Sequence, residues 1–220
     1  MSDDSILQYL NYIQRYGLPY DYSEIMHIIT DYDELLSYSR EHNKKLGIIY
    51  QSEYHIFIVD LVENIRGERF PYERIIKTRQ GNSVVIIPVS GERFVLLKQF
   101  RHALGTYQYS FPRGFGEPCI SIEENARKEI MEELNAKVSS IKIIGKVVAD
   151  SGICGEEVNI VQCSVSDIQI DGVYEGIRCY ELLSAEEMER YIQSDKINDG
   201  FTLSAWTLLN AKGFCGEVTL

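Results

Sequence analysis

The chain has 220 residues, 45% of them hydrophobic, and its 33 acidic against 22 basic residues give a formal net charge of -11. This negative charge argues against broad binding to nucleic acid or anionic membranes, so a polyanionic substrate would need metal ions or local Arg and Lys to offset repulsion. No apolar run approaches the roughly 20 residues that span a bilayer, and the acidic start is unlike a targeting peptide, so a cytoplasmic location is predicted.

Residues 1–46 have a helical pattern and are predicted to form an extension to a main domain at residues 47–220. Apolar residues at helical spacing predict a first helix that ends at Gly17-Leu-Pro19; Ser23 can cap a second, and a third follows. Tyrosine is dense in this region: Tyr9, Tyr12, Tyr16, Tyr20, Tyr22, Tyr32 and Tyr38. An aromatic pocket is one interpretation, and packing against the main domain or a second subunit is the favoured one.

Strands are predicted from residue 47 onward. Apolar runs with alternating or continuous patterns stand at residues 47–50, 54–62, 72–79, 83–90 and 93–101. Glycine-centred breaks between successive runs favour hairpin turns. The five cysteines are Cys119, Cys154, Cys163, Cys179 and Cys215. Their number is odd and no Cys-x-x-Cys pair occurs, so reduced thiols are predicted rather than disulfides or a zinc site.

One short acidic helix follows a glycine-containing loop. Ser121 and Glu124 form a capping-box pattern that predicts the helix start, and Asn135 suits the left-handed conformation that ends a helix. Its apolar stripe consists of Ile122, Ala126, Ile130 and Leu134.

Three glutamates of this helix, Glu129, Glu132 and Glu133, are spaced by three and four residues and therefore share one side. Their mutual repulsion would turn into attraction around a hard divalent cation such as Mg²⁺, which prefers oxygen ligands. A solvated acidic face is the alternative interpretation of the same three residues.

The loop and helix together resemble the Nudix signature, Gly, five residues, Glu, seven residues, then Arg-Glu-apolar-any-Glu-Glu-any-Gly-apolar. With Gly114 on the first glycine, residues 128–136 lie on the core of that motif without a gap. Three positions depart from it, because Ile120 replaces the first Glu, Lys128 the Arg and Asn135 the last Gly. We refer to residues 114–136 as the box.

The flanking sequence is similar to Nudix enzymes of the ADP-ribose pyrophosphatase type. Phe100 and Arg113 stand where that type usually has Tyr and Ala. The matching segments are Gln99–Arg101, Pro112–Gly114, Asp150–Val158 and Ile192–Trp206. The likeness covers about residues 47 to 214.

This resemblance implies a Nudix-like α/β/α sandwich of the α+β class, with a mixed sheet and a helical N-terminal extension. It implies hydrolysis of the diphosphate bond of a nucleoside diphosphate linked to another moiety, ADP-ribose or a nucleotide sugar, with Mg²⁺ or Mn²⁺. A homodimer is also implied.

The resemblance assigns roles to individual residues. Glu129 and Glu133 would ligate the metal, Glu132 would ligate it or support the site from the next layer, and the main-chain carbonyl of Arg113 would complete the site. Glu156 would orient or deprotonate the attacking water.

Four residues are candidates for contact with the substrate. Arg101 offers a bidentate phosphate contact, with a surface salt bridge as the alternative. Gly114 belongs to the loop expected to approach the phosphates. Tyr107 and Tyr109 could stack on a base or a ribose, or could belong to the core.

A second functional hypothesis remains open from the sequence. The departures at Ile120 and Lys128 are compatible with a Nudix-like domain that binds a nucleotide without turning it over, as a sensor or interaction module.

Overall fold

The computed structural model describes residues 2–20, 23–79, 81–170 and 175–213, except for the side chains of Ser2 and Asp3. Tyr22 and Cys215, which figured in the sequence analysis, lie outside these residues. The chain forms two compact units, Met1–Arg79 with Asp150–Glu156, and Gln80–Ala149 with Glu157–Leu220. These limits differ from the predicted division at residues 46 and 47, because strands of the first unit continue to residue 77. No helix among the described residues is long and apolar enough to cross a membrane.

The first unit consists of two helices and a four-stranded antiparallel sheet. Its elements are α1 (Ser2–Tyr16), β1 (Met26–Ile29), α2 (Tyr32–His42), β2 (Gly47–Gln51), β3 (His55–Asn64) and β4 (Arg69–Lys77). β4 pairs along one edge of β3, while β2 and β1 pair in succession along the other. The core lies between the sheet and the helices and includes Ile6, Leu35, Leu46 and Ile58.

The predicted second helix after Ser23 is wrong, because Met26–Ile29 forms a strand. The Ser23 hydroxyl does accept hydrogen bonds from the amides of Ile25 and Met26, as a cap would. The β-branched Ile28 and Ile29 instead pair with β3, a tertiary partner that local spacing does not reveal.

One tyrosine of the N-terminal group is a structural core residue. Tyr9 is fully buried, and its hydroxyl donates to Asp60 Oδ1 at 2.5 Å. Arg74 forms an ion pair with the same buried carboxylate. This network links α1 to β3 and β4, in line with the packing interpretation of Tyr9.

The second unit carries the box. Its elements are β5 (Val84–Ser90), β6 (Arg93–Arg101), β7 (Thr106–Ser110), β8 (Arg113–Gly114), α3 (Ile122–Leu134), β9 (Lys137–Val148), β10 (Glu157–Ser166), β11 (Ile177–Leu183), α4 (Ala185–Gln193) and α5 (Gly200–Ala211). The sheet order is β11-β6-β5-β10-β9, with β7 added to β6 and β8 to β5. β5 and β10 are parallel and the other pairs are antiparallel, so the sheet is mixed.

Helices cover both faces of this sheet. Val84 and Ile86 of β5 pack in one cluster with α3. Val85, Ile87 and Val89 pack in another with α4 and α5. Successive residues of a strand point to opposite faces, so the continuous apolar run of β5 supplies both layers. The predicted α/β/α sandwich with a mixed sheet is confirmed.

Candidate functional site

The box helix begins and ends where the sequence predicts. Ser121 is the N-cap of α3 and forms a full capping box with Glu124, while Asn135 ends the helix at a φ of 43°. The apolar stripe lies against the sheet, with its last three members, Ala126, Ile130 and Leu134, fully buried. This packing fixes the rotation of α3, and with it the direction of Glu129 and Glu133.

Gly114 lies directly against the carboxylate of Glu129. A Cβ atom at this position would overlap the Glu129 carboxylate. Gly114 is in strand β8, which pairs with Val84 of β5 and so has little freedom to move away. A side chain at residue 114 would displace the Glu129 carboxylate, so glycine lets the main chain approach the acidic side of α3.

Glu129 and Glu133 form a buried carboxylate pair. Burial raises the pKa of Glu133 to about 8, and the charges of Glu129 and Glu175 act in the same direction. The charge of Arg101 and a hydrogen bond from the main chain of Arg113 oppose this shift. Burial, followed by the charge of Glu132, raises the pKa of Glu129 to about 7. Glu133 Oε2 is buried without a hydrogen-bond partner.

Glu132 is more exposed than this buried pair, although its charge acts on Glu129. Its side chain is 46% exposed and stands 3.8 Å from the Nζ atom of Lys128. Lys128 also forms an ion pair with Glu117 in the loop before the helix. Glu117 thus supplies a carboxylate partner for Lys128, although the signature position for one, residue 120, holds isoleucine.

Main-chain contacts brace the loop in front of α3. A Cβ at Gly116 would overlap the backbone of Gly81 and Asn82. The fully buried Asn125 of α3 donates to the carbonyl of Asn82 at 2.9 Å. The amide of Gly116 donates to Ser83 Oγ at 3.3 Å. The loop is therefore held by both α3 and the segment that leads into β5.

Two arginines stand beside the carboxylate pair. Arg101 donates to Ser110 Oγ at 3.0 Å, and its Nε atom is buried without a partner. Burial lowers the pKa of Arg101, and the charge of Arg113 lowers it further. Arg113 donates to Asp199 Oδ1 at 3.3 Å, and its guanidinium lies 5.1 Å from the ring centre of Phe201. Two positive charges and the unpaired Nε–H donor of Arg101 therefore lie near Glu133.

The two candidate tyrosines differ in their surroundings. Tyr109 packs against the core cluster on the α5 face, and its hydroxyl donates to Glu181 Oε1 at 2.6 Å. Tyr107 is 43% exposed and packs edge-on against Phe100, with ring centres 5.5 Å apart. Tyr107 is thus the more exposed of the two tyrosines, and the guanidinium of Arg178 lies 5.6 Å from its ring centre.

Glu156 belongs to the other compact unit. The loop Asp150–Glu156 groups with residues of the first unit, whereas every other candidate site residue is in the second. Glu156 forms an ion pair with Lys77, the last residue of β4.

Sequence reasoning missed three features of the second unit. The charge of Glu175 acts on both buried carboxylates. The Arg113 side chain, rather than only its carbonyl, contributes charge near Arg101. Glu117 is the partner of Lys128. No motif in the sequence marks Glu175, which lies between β10 and β11. For the ion pair of Glu117 with Lys128, the sequence offers only their separation of eleven residues.

The donor set of this site suits a hard divalent cation. Residues 2–20, 23–79, 81–170 and 175–213 contain no group of three or more His, Cys, Asp and Glu side chains already arranged to hold a metal. The pair Glu129 and Glu133 nevertheless offers carboxylate oxygens, one of them buried without a partner. Because Mg²⁺ is commonly held by one or two carboxylates together with substrate phosphates and water, the residues fit such an ion.

The chain is similar in sequence to known proteins over about half of its length. A family model described as NUDIX domain matches residues 79–195, more than half of the chain. ADP compounds hydrolase NudE of Escherichia coli (strain K12) is 27% identical over 103 residues, which cover 47% of this chain and 54% of that protein. ADP-sugar pyrophosphatase of Mus musculus is 33% identical over 97 residues, covering 40% of this chain and 44% of that protein. The chain thus spans about half the length of these curated relatives.

A solved structure described as an ADP compounds hydrolase has a similar fold. It superposes with a TM-score of 0.66 at 20% identity, and the match covers 78% of this chain and 94% of that one. At this identity the match bears on fold alone, and it agrees with the mixed sheet between helical layers. The family match over residues 79–195 shows that this chain belongs to the Nudix family.

Proposed function

We propose that this protein hydrolyses the diphosphate bond of a nucleoside diphosphate linked to another moiety, with ADP-ribose or a nucleotide sugar as substrate and Mg²⁺ or Mn²⁺ as the metal. The names of the two curated relatives, an ADP compounds hydrolase and an ADP-sugar pyrophosphatase, support this substrate class.

The observation that carries the proposal is that a buried carboxylate oxygen and a buried guanidinium nitrogen of the same unit both lack hydrogen-bond partners. Glu133 Oε2 and Arg101 Nε are both buried without partners in the second unit. A buried polar atom left unpaired costs about 1–3 kcal/mol, more if it is charged, so such atoms are retained where a ligand satisfies them. A metal-bound diphosphate would satisfy both, because the metal needs carboxylate oxygens and the phosphate needs N–H donors.

Glu129 and Glu133 would hold the metal, with Glu132 and the main-chain carbonyl of Arg113 as further oxygen donors. When bound, the ion supplies Lewis-acid polarisation of the phosphoryl group and lowers the pKa of bound water. Arg101 would donate to the phosphate oxygens. Because the protein is strongly acidic overall, this local arginine charge is needed to admit a polyanion.

Other residues would shape the rest of the substrate site. The absence of a side chain at Gly114 keeps the main chain close to the carboxylates and open to the phosphates. Arg113 adds positive charge beside Arg101. The exposed ring of Tyr107 would stack on the base or ribose, whereas Tyr109 would contribute only the edge of a largely packed ring.

Glu156 would take the proton of the attacking water. The water oxygen forms a new bond to one phosphorus, its proton moves to the Glu156 carboxylate, and the bond from that phosphorus to the bridging oxygen breaks. The bridging oxygen leaves with the electron pair as part of the second phosphate. General-base assistance of this kind is worth about 10²- to 10⁴-fold in rate.

The proposal is tested by release of nucleoside monophosphate from ADP-ribose and from nucleotide sugars, with Mg²⁺ or Mn²⁺. Glu133→Gln should lower kcat more than about 100-fold, because loss of a residue that only supports a metal ligand already costs about 10- to 100-fold. Glu123→Gln is the matched control, because Glu123 is an exposed glutamate in the first turn of the same helix. Equal loss in both variants, or turnover by wild type in EDTA, would contradict the proposed metal role.

Binding without turnover is the second candidate function, favoured by Ile120 and Lys128 at signature positions for Glu and Arg. The ion pair between Lys128 and Glu117 weakens this alternative, because it restores a carboxylate partner for the cation at position 128. Saturable binding of ADP-ribose by calorimetry with no release of monophosphate would favour it.

We also propose, from the family resemblance, that the protein acts as a homodimer in the cytoplasm. Sedimentation as a monomer at micromolar concentration would contradict the dimer.

A further inference from the structure

The loop Asp150–Glu156 lies along the free edge of β4. The amide of Ile75 donates to the carbonyl of Ile153 at 2.8 Å, and Ile75 forms an isolated parallel bridge with Cys154. The hydroxyl of Tyr72 donates to the carbonyl of Gly152 at 2.8 Å. The loop is therefore attached to the first unit through its main chain.

The loop is also folded upon itself before it reaches Glu156. The amide of Cys154 donates to the carbonyl of Asp150 at 2.7 Å, and the amide of Gly152 donates to Asp150 Oδ1 at 3.0 Å. These turn contacts leave few ways for the backbone to present residue 156. Side-chain orientation then depends on what the Glu156 carboxylate contacts.

That contact is Lys77. Its Nζ atom forms an ion pair with Glu156 Oε1, and the two side chains are 11% and 31% exposed. A mostly buried ammonium holds a carboxylate more firmly than an exposed one, because water screens the attraction less. Since Oε1 faces Lys77, proton transfer would fall to Oε2.

We propose that β4 of the first unit is the support for the catalytic loop, and that Lys77 is a positioning residue that orients the carboxylate of Glu156. This inference rests on the proposed function for the chemical role of Glu156. It gives Lys77 a role that the family match does not assign, because Lys77 lies outside the matched residues 79–195.

The chain offers a matched pair of ion pairs for the test. Lys146 and Glu157 form an ion pair 2.7 Å long, with side chains 57% and 58% exposed, and Glu157 is the next residue after Glu156. Lys77→Met and Lys146→Met therefore each remove one lysine partner of adjacent glutamates. Only the first breaks a contact between the loop and β4.

The activity arm compares kcat and KM for ADP-ribose. Lys77→Met should lower kcat about tenfold with KM unchanged, because orientation of the base matters in the transition state and not in substrate binding. Lys77→Arg, which keeps the cation, should recover most of the loss. Lys146→Met should match wild type. A wild-type kcat in Lys77→Met, or no recovery by arginine, overturns the positioning role.

A second arm uses Cys154 as a probe of the loop in the full-length protein without substrate. Burial raises the pKa of the Cys154 thiol, and the charges of Asp150 and Glu156 add to this. Alkylation by iodoacetamide, followed by peptide mass spectrometry, should be at least about fivefold faster in Lys77→Met than in wild type, relative to the exposed Cys119. Removing a nearby cation alone would raise the thiol pKa and slow the reaction, so acceleration reports a loosened loop.

The two arms separate failure of this inference from failure of the proposed function. If Glu156→Gln turns over like wild type, the chemical role of Glu156 is wrong, and with it the positioning role of Lys77. An unchanged rate of Cys154 alkylation in Lys77→Met would overturn the role of Lys77 in holding the loop Asp150–Glu156 against β4, even if the protein hydrolyses ADP-ribose.

Discussion

Replacement of Glu133 by glutamine should stabilise the metal-free protein at neutral and alkaline pH while it removes activity. Glu133 is 3% exposed, one of its oxygens has no partner, and burial raises its pKa to about 8. Glutamine has nearly the same shape and carries no charge. The substitution therefore removes the cost of ionising a buried group without leaving a cavity.

The magnitude follows from proton linkage. In the unfolded chain the carboxyl of Glu133 has an ordinary pKa near 4.5, so between pH 4.5 and 8 the folded state binds more protons than the unfolded state. The free energy of unfolding must therefore fall as pH rises through this window, by up to about 1.4 kcal/mol per pH unit. The total loss by pH 8 is about 2 to 5 kcal/mol, which corresponds to about 5 to 15 °C in Tm for a chain of this size.

The assay is thermal unfolding in EDTA at pH values from 5 to 8.5, for wild type, Glu133→Gln and the exposed control Glu123→Gln. Wild type and Glu123→Gln should both lose stability as pH rises. Glu133→Gln should lose less and should be the most stable of the three at pH 8. Added Mg²⁺ should restore wild type, by about 2.7 kcal/mol at a concentration of 100 Kd, and should leave Glu133→Gln unchanged.

Parallel pH profiles for wild type and Glu133→Gln would refute this reasoning. Such a result would mean that Glu133 is hydrated or paired in solution and that its ionisation carries no cost. It would also remove the argument that the buried carboxylate of Glu133, which has no hydrogen-bond partner at Oε2, suits a metal ion.

Further substitutions test other parts of the site. Gly114→Ala should lower kcat about 100-fold, because the added methyl displaces the carboxylate of Glu129, whereas Gly200→Ala, where no atom lies within 4 Å of the new Cβ, should match wild type. Arg101→Lys should raise KM for ADP-ribose about tenfold, since lysine lacks the bidentate fork, and an unchanged KM would contradict the phosphate contact. Asp199→Ala should lower the free energy of unfolding by about 1 kcal/mol in a denaturant titration, because α5 loses its N-cap. It should also lower kcat, because Arg113 loses the contact with Asp199 Oδ1.

The box could be predicted from sequence because its determinants are local. Ser121, Glu124 and Asn135 define both ends of α3 through contacts within a few residues, and the four-residue stripe defines its buried face. The cap of α5 is local in the same way, because the hydroxyl and the amide of Thr202 both donate to Oδ2 of the N-cap Asp199.

The remaining features depend on contacts between residues far apart in sequence. Met26–Ile29 forms a strand because it pairs with β3. The charge of Glu175 reaches Glu133 because β11 returns to pair with β6, a register that no local pattern indicates. The ion pair of Lys77 with Glu156 joins residues 79 positions apart. Such pairings follow from the topology, which periodicity alone does not define.

The central position of β5 also has a consequence during synthesis. Apart from Pro88, Val84–Val89 is an uncharged run of β-branched residues that is buried on both faces of the sheet. Its parallel partner β10 is synthesised late, since Ser83 and Asn159 are 76 residues apart. At a synthesis rate of about 5–20 residues per second, β5 would lack its parallel partner for roughly 4 to 15 seconds while the ribosome makes the residues up to β10. Pro88 lacks an amide hydrogen and so interrupts the edge that another nascent chain would extend. We therefore expect Pro88→Val to increase aggregation during expression, even where the finished protein tolerates valine.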